Sequence, residues 1–290
     1  MVAELNGTEP DEPRSPRGAG HGSGAFRRQV VHKYEADSAA TRGAESIVSD
    51  IDTRSGIATG ISHRRGHSED AGFIGRRLFA VADGISKYPD GAQASAAAIG
   101  AIRGLDRVRI PPSGRQHELR QQIDDDLRHR VAGADRAIWE RGAQLGRGHE
   151  AMGTTLTALY LDSHHAIVIH IGDSRAYRLR NGECVPLTRD HANGATLTRR
   201  LGGRFRPREE RDRQWLASRY PDVGHHASHS GDRYLLCTDG IHKHVTDVAI
   251  DHALSHHNDP QHAADELLRK AHKDRGRFED DATCIVVFVQ

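Results

Sequence analysis

The pattern of the chain predicts an α+β fold, an antiparallel layered β-sandwich. Few of its strand-like runs connect through a regular βα alternation, and hairpins dominate its middle. A doubly wound parallel sheet fits neither observation.

Residues 1–50 are polar, with Pro10, Pro13 and Pro16 among Gly, Ser, Arg and Glu, and show no helical or strand period. They are predicted to be a disordered N-terminal tail, and length alone leaves open whether residues 51–290 form one large domain or two small ones. Ile57 to Ile61 is the first strand candidate, followed by His63-Arg64-Arg65-Gly66-His67 and Ser68-Glu69-Asp70. Leu78 to Ala82 is a nearly unbroken apolar strand, and the alanine-rich Gln93 to Leu105 suits a helix packed closely on a sheet. Pro111 and Pro112 break the pattern. From Arg115 to Ala143, Leu119, Ile123, Leu127, Val131, Ala134 and Ile138 recur every three or four residues, which predicts an amphipathic helix. Met152 to Tyr160 reads as a strand, turned by Asp162-Ser163-His164-His165 into a second over Ala166 to Ile171. A meander follows, with Asn181-Gly182 as a two-residue hairpin signal. Beyond Leu187 the chain turns arginine-rich, and an insert with one short helix is expected near residues 204–230. A strand over Tyr234 to Thr238, helices over Val245 to Leu254 and Gln261 to Ala271, and a closing strand complete the chain.

Composition narrows the function by exclusion. Basic and acidic residues number 41 and 40, a net charge of +1, so no global field draws the protein to nucleic acid or an acidic membrane. Around Arg199 to Arg213 the arginines are interleaved with Glu209, Glu210 and Asp212, which favours a solvated helix over a nucleic-acid site. No run approaches the roughly 18 apolar residues of a membrane span, and Met1 to Pro16 lack the apolar core of a secretory signal. A cytoplasmic protein is expected. Cys237 and Cys284 fall within apolar strands and Cys184 follows a turn, without CxxC spacing, so reduced thiols are expected.

The chemistry lies at four strand ends. Phe79-Ala80-Val81-Ala82-Asp83-Gly84, Ile171-Gly172-Asp173-Ser174, Leu235-Leu236-Cys237-Thr238-Asp239-Gly240 and Asp280-Asp281-Ala282-Thr283 each join an acidic residue to an apolar run. One Asp-Gly pair alone is ordinarily a turn; four in strand context suggest one shared site. Gathered aspartates repel one another until a cation intervenes, and oxygen-only ligands favour Mg²⁺ or Mn²⁺. Two such ions roughly 3.5 to 4 Å apart activate a bridging water and stabilise an in-line displacement at phosphorus. Beside such a centre Arg65 becomes a candidate phosphate clamp, since its planar fork matches phosphate oxygens.

Arg65-Gly66-His67-Ser68-Glu69-Asp70, Val81-Ala82-Asp83-Gly84, Met152-Gly153-Thr154-Thr155, Gly172-Asp173-Ser174-Arg175, Leu187-Thr188-Arg189-Asp190-His191, Cys237-Thr238-Asp239-Gly240 and Asp280-Asp281-Ala282-Thr283 resemble, in order, the motifs of metal-dependent PPM-type (protein phosphatase 2C-like) phosphatases, most closely the bacterial branch. The resemblance runs from about residue 57 to the C-terminus and implies one phosphatase domain over residues 51–290. It implies a central antiparallel β-sandwich flanked by helices on both faces (α-β-β-α layers) and two Mn²⁺ or Mg²⁺ ions at one end of the sheets. Carried over by position, Asp83 bridges both metals, the Gly84 carbonyl binds one, Asp239 and Asp280 complete the other, Glu69 acts through water, and Arg65 holds the substrate phosphate. In bacterial relatives a third, weaker metal uses the equivalents of Asp173 and Asp239. The implied substrates are phosphoserine and phosphothreonine on proteins, with a serine/threonine kinase or its targets as partners, and a monomer is expected.

The chain departs from the pattern at several places. Ser68 and Asp281 stand where the family has asparagine, and Ile85 and Tyr88 occupy the two positions where members carry a histidine. Ser86-Lys87 replace a glycine pair between them. His191 is followed almost at once by Leu197-Thr198-Arg199, so the mobile flap of bacterial members is expected to be shortened near 191–197. These departures leave room for a second reading, a phosphatase-fold regulator that binds a phosphoprotein or kinase with little turnover; intact Asp83, Asp239 and Asp280 argue against it. A histidine-rich metal-binding protein is a third reading, but the spacings of His225-His226, His229, His242, His244, His256-His257 and His262 match no zinc motif.

Overall fold

The computed structural model describes residues 32–33, 51–62, 66–85, 90–108, 116–144, 152–202, 220–273 and 280–290. In chain order the elements are β1 (His32–Lys33), β2 (Thr53–Gly60), β3 (Asp70–Ile74), β4 (Leu78–Asp83), α1 (Gly91–Ile102), a 3-10 turn (Arg103–Arg107) and α2 (Gln116–Gln144). There follow β5 (Gly153–Thr154), β6 (Leu156–Leu161), β7 (His165–Ile171), β8 (Arg175–Arg180), β9 (Glu183–Pro186), β10 (Ala192–Asn193), β11 (Thr196–Leu197) and β12 (Leu201–Gly202). The last are β13 (Asp222–Ala227), β14 (Arg233–Cys237), α3 (Asp239–His242), α4 (Asp247–His256), α5 (Pro260–Lys273) and β15 (Ala282–Val289).

Two sheets form the sandwich, one of six strands in the order β1-β3-β4-β6-β7-β13 and one of five in the order β2-β15-β14-β8-β9. Apart from the parallel β1–β3 pair, their ladders are antiparallel, as the hairpin-rich pattern predicts. The alternation of each strand then sorts its residues into layers. From β4, Leu78, Ala80 and Ala82 join Ala94, Ile102, Val131 and Ile138 of α1 and α2 in one core. From β14 and β15, Leu235, Cys237, Cys284 and Val286 join Ile250, Leu254 and Leu267 of α4 and α5 in another. The opposite faces, Phe79, Val81, Leu159, Val168, Leu236, Ile285 and Val287, interlock between the sheets. Burial of each large side chain contributes about 1.5–3 kcal/mol, and because both faces are covered, β4, β6 and β15 read as continuous apolar runs.

Three particulars answer to the sequence. Asn181 and Gly182 both have positive φ, 52° and 79°, the conformation a tight β8–β9 hairpin requires. Cys237 and Cys284 are buried, unbridged and opposite each other in the β14–β15 register. The stretch expected to be a single strand from Met152 is broken at Thr155 into β5 and β6, for reasons the site supplies.

Elsewhere the structure differs from the expectations. Asp222–Ala227, inside the stretch expected as an insert near 204–230, is β13, the edge strand paired with β7. Its sequence Asp-Val-Gly-His-His-Ala packs only Val223 against the core, so it lacks the alternation that reveals a strand. Residues 203–219 lie outside the described residues. The stretch near 191–197, expected to be a shortened flap, holds the small hairpin of β10 and β11. Of the expected tail only β1 is described, beside β3.

Candidate active site

At one end of the sandwich the layer between the sheets turns from apolar to polar. On β4 the alternation that directs Phe79 and Val81 between the sheets brings Asp83 next, and on β14 and β15 the same parity brings Thr238 and Thr283. Asp83 ends β4, and the backbone beyond it is held by both sides. Asp83 donates its N–H to Thr155 Oγ1 at 3.0 Å, while its carbonyl accepts from Thr155 N at 2.9 Å and Thr154 Oγ1 at 2.8 Å. Thr155 Oγ1 also bonds Ser174 Oγ at 2.7 Å. The break between β5 and β6 therefore falls where Thr155, beside Thr154 at the end of β5, leaves the strand pairing to hold the aspartate.

The two Asp-Gly pairs are not turns. A Cβ on Gly84 would lie 2.3 Å from the Gly91 carbonyl oxygen at the start of α1, and one on Gly240 would lie 2.1 Å from the Asp281 carbonyl oxygen. Each glycine permits a backbone approach beside an acidic strand end. Gly84 further donates its N–H to the Glu69 carbonyl at 3.1 Å, and Ser95 Oγ of α1 donates to the same carbonyl at 2.6 Å.

Glu69, Asp83, Gly84, Asp173, Asp239 and Asp280 are thus brought to one end of the sandwich. Burial raises the Asp83 pKa well above the ordinary carboxylate range, and Asp70, Asp239, Asp280 and Asp173 raise it further. Arg65 and Tyr88 lie outside the described residues. His67 is exposed, and Ile85, partly buried, donates its N–H to the Gly153 carbonyl at 2.9 Å.

The sequence reading missed several participants. Asp70 pairs with Asp83 across the β3–β4 ladder, is 6% exposed, and accepts from Thr238 Oγ1 at 2.8 Å. Burial raises its pKa, Asp281 and Asp239 add to this, and the hydroxyls of Thr238 and Thr283 oppose it. Its adjacency to Glu69 was the available signal. Asp281, 2% exposed, accepts from the N–H of Ser62 and of Glu69, each at 2.7 Å, so the residue just before the final strand ties Ser62 to Glu69. Lys243 donates to Asp239 Oδ2 at 2.6 Å and to Asp173 Oδ2 at 3.2 Å. Partial burial lowers its pKa, but the two carboxylates prevail and hold it above its usual value.

The donor set tests the expected metals. Among the described residues no three His, Cys, Asp or Glu side chains already stand in a closed chelating geometry. Asp70 Oδ1 and Asp239 Oδ1 are nevertheless buried without a hydrogen-bond partner, and burial, with neighbouring carboxylates, disfavours ionisation of Asp70 and Asp83. Unsatisfied carboxylate oxygens of this kind fit hard divalent cations. Of the described helices, none is long and apolar enough to cross a membrane.

The chain is similar to known proteins in both sequence and fold. The sequence profile described as Protein phosphatase 2C matches residues 60–281. The serine/threonine protein phosphatase PstP of Mycobacterium tuberculosis is 32% identical over 239 residues, covering 78% of this chain and 43% of that protein. The chain therefore spans less than half the length of this curated relative. The crystal structure of the Mycobacterium tuberculosis phosphatase PstP/Ppp has a TM-score of 0.67 and 28% identity, covering 82% of this chain and 99% of that one. The PstP catalytic domain in complex with 2 manganese ions gives a TM-score of 0.65 at 28% identity, covering 82% and 98%. A profile spanning most of the sequence and the gathering of its acidic strand ends lead to one conclusion: the chain belongs to the protein phosphatase 2C family.

Proposed function

We propose that this protein hydrolyses phosphoserine and phosphothreonine esters on proteins at a centre for two divalent cations. The observation that carries the reading is the convergence of Asp83, Asp239, Asp280 and Asp70 with two buried carboxylate oxygens left unsatisfied. Asp83 would hold both ions, with the Gly84 carbonyl on one, Asp239 and Asp280 on the other, and Glu69 acting through water. The chemistry that two such ions supply is activation of a water and neutralisation of charge at phosphorus. The protein's own part is orientation: Thr154, Thr155 and Ser174 fix the peptide of Asp83, and Asp281 holds the Glu69 backbone. Arg65 would bind the substrate phosphate by its planar fork. The likeness to PstP, a serine/threonine protein phosphatase, supports phosphoproteins as the substrate class; a serine/threonine kinase or its targets are the partners we expect.

The test is phosphate release from phosphothreonine peptides by dialysed protein with Mn²⁺, with Mg²⁺ and with excess chelator. Release that requires the ion supports the reading. Full release in chelator overturns the metal centre, and no release from metal-loaded, folded protein favours the regulator that binds without turnover.

A further inference from the structure

Lys243 follows α3 in helical backbone, φ −78° and ψ −17°, with its N–H donating to the Asp239 carbonyl at 3.0 Å. The four-residue spacing lays its side chain back along Asp239. The ammonium lies 2.6 Å from Asp239 Oδ2 and 3.2 Å from Asp173 Oδ2, joining the end of β14 to the turn between β7 and β8. The preceding residue tightens the same junction, since His242 donates its Nε2–H to the Asp173 carbonyl at 2.8 Å. Consecutive side chains thus grip both the main chain and the carboxylate of Asp173. The two carboxylates are largely shielded, with side-chain exposures of 11% and 16%. Asp239 is divided between two tasks: Oδ2 faces the ammonium, and Oδ1 is buried without a partner.

We propose that the Lys243 ammonium is a built-in cation that stands in for a third metal ion between Asp173 and Asp239. The inference rests on the proposed two-cation centre and says how many ions that centre takes. An ammonium in hydrogen-bond contact with both carboxylates fills the space between them and supplies positive charge there. A divalent ion entering the same space meets like charge and finds its oxygens already engaged. Asp239 Oδ1 stays available to the inner pair of ions, and its carboxylate keeps its orientation whether or not metal is abundant.

The experiment counts bound Mn²⁺ per chain by equilibrium dialysis, with the free ion read by electron paramagnetic resonance. It uses the full chain as wild type, Lys243→Ala, Lys243→Arg and the double variant Lys243→Ala with Asp173→Asn. Circular dichroism establishes that each is folded, and a folded Lys243→Gln replaces any alanine variant that is not. The expected result is two ions for wild type and Lys243→Arg, three for Lys243→Ala, and a return to two for the double variant. Three ions on wild type, or two on both wild type and Lys243→Ala, overturns the proposal while leaving the two-cation reading intact. Fewer than two on wild type overturns both.

Discussion

Replacing Asp281 by alanine should unlatch the loop that carries Glu69. The carboxylate is 2% exposed and accepts from two buried backbone donors, Ser62 N and Glu69 N, at 2.7 Å each. Alanine deprives both of this acceptor. Each buried N–H so deprived costs about 1–3 kcal/mol, so the loss is about 2–6 kcal/mol out of a total stability of order 5–15 kcal/mol. Asp281→Asn keeps one carbonyl oxygen as acceptor but turns an amide NH₂ toward the second donor, and should cost roughly half as much. Urea denaturation of metal-free protein measures both, read as a shift in midpoint at constant slope. Phosphate release should fall in the same order, because the clasp holds the Glu69 backbone. An alanine variant within about 0.5 kcal/mol of wild type, or an asparagine variant as costly as alanine, would refute the reasoning.

Other outcomes follow from single sites. Gly240→Ala directs a methyl carbon to within 2.1 Å of the Asp281 carbonyl oxygen; the overpacking should cost about 1–3 kcal/mol, and an unchanged melting temperature would show that the backbone yields freely. Burial, aided by His191, pushes the His170 pKa down to about 4, so the folded state resists a proton that the unfolded state accepts near its ordinary 6.5. Stability should therefore be intact above that value and fall as pH drops toward 4, by about 3 kcal/mol for this group; His170→Gln should flatten that slope, and an equal slope in the variant counts against the assignment. Ile85 has no proton to give a leaving alkoxide, whereas an aryl phosphate expels a phenolate with a pKa of roughly 10 or below. Ile85→His should thus raise kcat/KM for phosphothreonine peptides relative to aryl phosphates by on the order of tenfold or more, and an unmoved ratio would locate the proton donor elsewhere.

The sequence by itself determined whatever depends on neighbours along the chain. The uncharged, largely apolar runs before Asp83 and Asp173 and after Asp281 identified strands, and the structure covers both faces of them, which is why they show no polar face. Asn181-Gly182 specified its hairpin because few residues tolerate two successive positive φ angles. The acidic strand ends stood out because each joined a carboxylate to a strand pattern, and the fold brings them together around Asp83. What tertiary structure decided is whatever depends on partners distant in sequence. Strand β13 exists because β7 offers it an edge, and Gly224, His225 and His226 carry no periodicity of their own. Thr238 meets Asp70 across 168 residues, and Asp281 meets Ser62 and Glu69 across 219 and 212. Lys243 is an ordinary lysine in sequence and bridges two carboxylates only because Asp173 arrives from another strand end. Periodicity records which face a residue turns to the core; it holds no record of which distant group fills the space opposite.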